Sequence, residues 1–191
     1  MRRLFESRGD DLGITMKALC PVSVRDDSEK MQLGNRVSAM FVDLPIGETD
    51  PVARLRAIRA TTEDLKDREQ AVGAAFLVDL TQYAAPTLVG LAARVAHRQP
   101  FFNLVITNVP GPQVPLYCMG GRMLEAYPVV PLTRNLALGI AILSYCGQLH
   151  FGLYVDADAV EDVAVLAGGL EDAFAEMKKI AQETDEAGES E

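Results

Sequence analysis

Between Asn135 and Val155 the chain reads NLALGIAILSYCGQLHFGLYV, 21 residues without an Asp, Glu, Lys or Arg. An uncharged run of this length suits a membrane helix, so its period has to decide. Before Cys146, the large residues Leu136, Leu138, Ile140 and Ile142 alternate with the small Ala137, Gly139 and Ala141. After Gly147, Leu149, Phe151, Leu153 and Val155 alternate with His150, Gly152 and Tyr154. A period of two on both sides of a two-residue turn predicts a β-hairpin, with the glycine supplying positive φ. The fold must therefore contain a sheet with one strongly apolar face, and the run is no membrane span.

The remaining segments supply partners for that sheet. Residues 1–8 read as a helix closed by Gly9; it opens at Met1 without a cap, as though chain had once preceded it. Ile14 to Val24 and Leu33 to Leu44 alternate as strands, joined by the charged RDDSEKMQ. Asp50-Pro51 is a helix start, with Asp as N-cap and Pro at the first helical position. Val52, Leu55, Ile58, Thr62 and Leu65 follow on one helical face. A second helical region is expected over 71–97, broken at Pro86. FFNLVITNVPGPQVPL, from Phe101, is an apolar strand stopped by Pro-Gly-Pro, and Arg122 to Val130 is predicted to be extended. Asp158 with Glu161 resembles a capping box, and Val163, Leu166, Leu170, Phe174 and Met177 mark the core face of a last helix. The fold class is α/β, a mixed sheet with flanking helices.

Charge divides the chain. The net charge is -9, yet twelve acidic and two basic residues lie from Asp156 onward, which leaves the body nearly neutral. A domain over 1–180 followed by an acidic, disordered tail over 181–191 is expected. With no basic patch interleaved with aromatics, nucleic-acid binding is excluded. Cys20, Cys118 and Cys146 show no CxxC spacing, which argues against a disulfide scaffold or zinc ribbon and fits a reducing compartment. The N-terminus lacks the apolar stretch of a secretory signal.

No self-contained catalytic constellation is present. There is no GxSxG, GxGxxG or Walker loop. His97 and His150 are assigned structural roles, because metal sites need several ligands at close spacing. His150, beside Gly152, has room around it and stays a weak candidate. Three polar clusters are harder to dismiss: Asn35 and Arg36 before a strand, Thr107 and Asn108 at the end of the most apolar strand, and Arg134 and Asn135 before the hairpin. Each has a structural explanation at a turn or strand end. The alternative is convergence on a cleft.

GNRVSAMFVDLPIGETDPVARLRAI, FNLVITNVPGPQVPLY and MLEAYPVVPLTRNLALGIAILSYCGQLHFGLYVD, in this order, resemble the C-terminal half of the bacterial wax ester synthase/diacylglycerol acyltransferase family. The resemblance runs from about Arg2 to Met177. It implies half of a chloramphenicol acetyltransferase-like, CoA-dependent acyltransferase fold, in which two related halves face each other across substrate tunnels. It also implies transfer of a fatty acyl group from acyl-CoA to diacylglycerol or a long-chain alcohol. Acyl-CoA would be a co-substrate, with no tightly bound cofactor and no metal. The family's HHxxxDG motif, whose second His is the general base, belongs to the other half, and this sequence has no His-His pair. No catalytic residue is therefore assigned, and this chain alone is expected to be inactive.

By position in the matching motifs, Asn35, Arg36, Thr107, Asn108, Gly111, Arg134 and Asn135 are candidate cleft-wall residues for substrate. Three readings stay open. The chain is the C-terminal portion of an acyltransferase completed by a separate HHxxxDG-bearing half; or a non-catalytic lipid-binding or interaction module; or a remnant that associates with itself. A cytoplasmic location, peripheral to membranes or lipid droplets, is what the resemblance implies.

Overall fold

The computed structural model of the protein describes residues 1–23, 37–72, 102–132 and 135–188. Ten elements occur among them. They are α1 (Arg2–Arg8), β1 (Met16–Ser23), β2 (Val37–Leu44), α2 (Pro51–Val72), β3 (Leu104–Pro110), β4 (Tyr117–Cys118), β5 (Gly121–Arg122), β6 (Leu138–Tyr145), β7 (Gln148–Val155) and α3 (Val163–Gly188). Five strands form one sheet in the order β2-β1-β3-β6-β7, and β4 with β5 makes a separate small ribbon. The outer pairs, β1 with β2 and β6 with β7, are antiparallel, while β1, β3 and β6 run parallel. The sheet is thus mixed and flanked by helices, as the alternation predicts.

The hairpin over 138–155 forms as expected, with Tyr145 opposite Gln148 and a turn at Cys146 (φ 48°) and Gly147 (φ 79°). Two left-handed central residues match the right-handed twist of the flanking strands. Pairing sets the large residues on one face, where Ile140 opposes Leu153 and Ile142 opposes Phe151. On that face Met16, Ala18, Ile46, Leu104, Leu138, Ile140 and Leu166 form the core. α1 and α3 cover it, and three arginines tie the helices down. Arg3 pairs with Asp172 (2.6 Å) and Glu176 (3.3 Å), Arg8 Nε donates to Asp162 (2.8 Å), and Arg2 donates to the Ile46 carbonyl (3.1 Å).

Several local expectations hold. Gly9 closes α1 in the left-handed conformation (φ 71°), where a Cβ would be strained. The Asp50 side chain accepts the Val52 N–H (2.9 Å), capping α2. Other boundaries move. α3 starts at Val163 instead of near Asp158, because Asp156 captures that stretch first. Its carboxylate accepts the Asp158 N–H (3.0 Å), and its carbonyl accepts those of Ala159 and Val160. α3 then runs to Gly188, through much of the acidic segment set apart as a tail. Asp, Glu and Ala tolerate a helix, and Lys179 with Glu183 adds an i,i+4 pair. Leu55 and Phe174, assigned to core faces, are more than half exposed. The charged 25–32 connection and most of the helical region over 71–97 lie outside the described residues. Among the described residues no helix is long and apolar enough to cross a membrane.

Candidate functional site

Because β1, β3 and β6 are parallel, their carboxyl ends share one edge of the sheet. β3 brings Thr107 and Asn108 there. Strand alternation sends the two to opposite faces. Asn108 aligns with Ile142 and Phe151 on the helix-covered face, but beyond the core, where it is exposed; Thr107 aligns with Ala141 and Gly152 on the other face and is half-buried. Among the described residues β1 and β3 pair only at Ala18–Leu104 and Leu19–Val105. From Ile106 onward the β1-facing edge of β3 is therefore unladdered. No further ladder pairing on that edge is formed among the described residues.

The Pro-Gly-Pro corner beyond Asn108 is held by a compact hydrogen-bond network. Gly111 N–H donates to Ser144 Oγ (3.2 Å), and Gln113 Nε2 donates to the same oxygen (3.2 Å) and to the Gly111 carbonyl (3.0 Å). Gln113 Oε1 accepts the Gly147 N–H (2.9 Å), and the Pro112 carbonyl accepts that of Cys146 (3.3 Å). Gly111 is not required for a positive φ, as a turn-forming glycine would be. A Cβ built on it would lie 2.2 Å from the Ser144 carbonyl oxygen, so close approach of backbone to backbone is what excludes a side chain. Sequence reasoning singled out Gly111 as cleft wall and missed Gln113 and Ser144. Gln113 was the one detectable signal, a lone amide inside PGPQVP.

The opposite face is not open. The segment 123–132 crosses it. Building a Cβ on Gly152 would place it 2.1 Å from the Pro128 carbonyl oxygen, and on Gly139 2.7 Å from Val130. The space expected beside His150 is filled in this way. His150 is buried, its ring meets the edge of Tyr127 at 5.2 Å, and its Nε2 has no hydrogen-bond partner among the described residues. It faces away from Asn108, since its strand neighbour Leu143 aligns with Val109.

Asn135, at φ 68°, stands at the amino end of β6. Ile142, the partner of Asn108, lies seven residues further along, about 23 Å at strand rise. Asn135 and Asn108 therefore do not converge within this sheet. Asn35, Arg36 and Arg134 lie outside the described residues; Val37, the first described residue of β2, pairs with Ser23 at the carboxyl end of β1. Of the candidates, the carboxyl edge gathers Asn108 with the Gly111 corner.

Among the described residues this edge offers an exposed amide beside an unladdered strand edge, and no base. Burial pushes the Cys20 thiol above its usual pKa, which keeps it protonated and poorly nucleophilic. Among the described residues no cluster of three His, Cys, Asp or Glu side chains is placed to hold a metal ion. Among the described residues, the edge holds no group suited to take a proton from an alcohol.

Comparison with known proteins identifies the half-domain. Residues 33–178 match the WS/DGAT C-terminal domain. The chain is 36% identical over 190 residues to a probable diacylglycerol O-acyltransferase of Mycobacterium tuberculosis, covering 95% of this chain and 40% of that protein. A putative diacylglycerol O-acyltransferase of the same species is 32% identical over 191 residues, with 97% of this chain and 38% of the relative covered. The wax ester synthase/diacylglycerol acyltransferase from Marinobacter aquaeolei VT8 superposes with a TM-score of 0.72 at 26% identity, over 95% of this chain and 41% of that one. The chain thus spans about two-fifths of the length of these proteins, and its fold is of the CoA-dependent acyltransferase kind. It belongs to the wax ester synthase/diacylglycerol acyltransferase family, as a C-terminal domain of that family.

Proposed function

We propose that this chain is the C-terminal portion of an acyl-CoA-dependent O-acyltransferase and supplies one wall of its substrate cleft. The observation that carries the reading is the placement of Asn108. It is an exposed amide at the carboxyl end of β3, next to an unladdered strand edge and held by a rigid corner. An amide there can donate to a carbonyl and accept from a hydroxyl, which suits a thioester meeting an acceptor alcohol.

The proton from the acceptor must go elsewhere. An alcohol is a weak acid, and general-base help is worth ~10²–10⁴-fold in rate. Neither histidine of the sequence forms a His-His pair, so the base comes from an amino-terminal portion bearing HHxxxDG. In the proposed reaction that imidazole takes the hydroxyl proton while the acceptor oxygen attacks the thioester carbonyl. The carbon–sulfur bond breaks and CoA leaves as the thiol. Diacylglycerol and a long-chain alcohol are both acceptors of the right chemistry, and the work takes place at a lipid surface.

The test is an acyl-CoA turnover assay with diacylglycerol or hexadecanol, using this chain alone and paired with an HHxxxDG-bearing amino-terminal portion. Turnover is expected only from the pair. Asn108→Ala is expected to lower kcat/KM by about 5- to 30-fold, the loss of a hydrogen bond worth ~1–2 kcal/mol, with the melting temperature unchanged because the side chain is exposed. Turnover by the chain alone, or an Asn108→Ala pair as active as wild type, would overturn the proposal.

A further inference from the structure

Asn108 stands at a strand end that is laddered on one side. β6 pairs with β3 as far as Pro110, whereas among the described residues β1 pairs with it only as far as Val105. Pro110, which closes the ladder, has no N–H to give. Strand ends with few backbone bonds open first, yet a side chain that meets substrate has to be held in place. Something other than the ladder must therefore fix this end.

Gln113 supplies that restraint. Its Nε2 donates to the Gly111 carbonyl (3.0 Å) and to Ser144 Oγ (3.2 Å), and its Oε1 accepts the Gly147 N–H (2.9 Å). Gly111 follows β3 directly, Ser144 belongs to β6, and Gly147 lies in the β6–β7 turn. One amide thus pins the end of β3 to both the strand and the turn of the neighbouring hairpin. The contacts use two donors and one acceptor at once, a set that only Asn and Gln side chains carry. Gln113 is itself exposed, so these bonds, and not packing, are its contribution.

We propose that Gln113 is a positioning residue for acyl transfer, fixing the carboxyl end of β3 so that Asn108 meets substrate in one orientation; the proposal rests on the functional reading above. Gln113 acts through Asn108 and does not itself touch substrate. Its effect on rate must then vanish once the Asn108 amide is gone, whereas a residue that only supports the fold costs the same in either background.

The test is a double-mutant cycle in the paired turnover assay, with wild type, Asn108→Ala, Gln113→Ala and the double variant. The partner is the amino-terminal portion of the Mycobacterium tuberculosis relative, whose competence is established with that relative's own C-terminal portion. Gln113→Ala is expected to lower kcat/KM by about 3- to 10-fold, the equivalent of one hydrogen bond. In the Asn108→Ala background it should change kcat/KM by less than about 2-fold. Gln113→Glu keeps the acceptor but turns an oxygen toward the Gly111 carbonyl, and should not restore the rate. Gln148→Ala, at another exposed amide of the same hairpin, should leave it unchanged. In this chain alone, hydrogen exchange at the Asn108, Val109 and Gly111 amides should quicken in Gln113→Ala. Melting curves set the assay temperature below the transition of every variant. Equal losses from Gln113→Ala in both backgrounds overturn the positioning role and leave the functional reading intact. So does a wild-type rate or unchanged exchange for Gln113→Ala while Asn108→Ala is impaired. A wild-type rate for Asn108→Ala, or no turnover from the pair while the control pair is active, overturns both.

Discussion

Gly111→Ala is the substitution whose consequence follows most directly from geometry. An added Cβ would sit 2.2 Å from the Ser144 carbonyl oxygen and 3.1 Å from a Leu143 methyl. Carbon and oxygen need more than 3 Å, so corner and strand must part by about 1 Å, a shift that rigid packing resists. Neither side yields easily. Ser144 is in register with Pro110 on one side and Leu149 on the other, and the corner is tied to it through Gly111 and Gln113. Overpacking of this kind costs about 1–3 kcal/mol, and one displaced hydrogen bond adds about 1 kcal/mol. The sum is about 2–4 kcal/mol. For a chain of this size each kcal/mol moves the melting point by roughly 2–4 °C, so a fall of about 5–15 °C is expected by calorimetry or circular dichroism. Gly168→Ala is the internal control. That glycine lies in α3 with nothing within 4 Å of a built Cβ, and alanine in a helix is favoured over glycine by about 1 kcal/mol, so a small rise is expected. If Gly111→Ala melts within 1 °C of wild type, the close approach is not a constraint and the account of the corner is wrong.

Three further outcomes follow from named contacts. Tyr145→Phe removes the hydroxyl that bridges Leu116 and Met123; two hydrogen bonds at about 1 kcal/mol each predict a loss of about 1–3 kcal/mol, and hydrogen exchange should quicken at the Leu116 amide. Unchanged exchange there would contradict the bridge. The hydrogen bond from Arg8 holds the Asp162 carboxyl below its ordinary pKa of 3.8, so its contribution is present at neutral pH and lost as pH falls through the lowered value. Asp162→Asn should therefore be less stable than wild type at pH 7, with the difference closing below pH 3.8; a pH-independent difference would refute the pairing. His150→Leu removes an imidazole whose Nε2 is buried without a partner among the described residues. Relief of that penalty, about 1–3 kcal/mol, offsets the lost Tyr127 contact of about 0.5–1.5 kcal/mol. Stability should stay within about 1–2 kcal/mol of wild type or rise, and a larger loss by urea titration would show that the imidazole is satisfied.

The parts of the fold that were legible in sequence are those fixed by local chemistry. Alternation on both sides of Cys146-Gly147 specified the hairpin and its faces, because a one-residue slip would turn every large side chain outward. Asp50-Pro51 marked a helix start because Pro needs no hydrogen-bond partner there and Asp supplies one. The β4–β5 ribbon was invisible. Two-residue strands have no period, and nothing in the sequence marks Leu116, Met119 and Leu124 as apolar residues that the tertiary structure leaves exposed. The site was legible only in part. A strand ending in Thr107-Asn108 identifies a strand-end polar group, but which other strand ends lie beside it depends on pairing. Once β6 is parallel to β3, Asn135 belongs to the far edge. Crowding was hidden too, since Gly152 suggests space beside His150 when it is in fact the seat of Pro128.

The corner and the amide beside it thus have separable roles, which a single pair of variants can distinguish. Gly111 has no room for a side chain and touches Ser144 through its backbone; its contribution is to the position of β3. Asn108 is exposed and aligned past the end of the core; its removal leaves the packing untouched. Under the proposed function, Gly111→Ala in the paired enzyme should lower the melting point and activity together, because a displaced strand end moves Asn108, and a misplacement of about 1 Å costs on the order of 10²-fold in rate. Asn108→Ala should lower activity alone. Were Asn108→Ala to melt as low as Gly111→Ala, the amide would be part of the scaffold, and Asn108 would no longer be a candidate for contact with substrate.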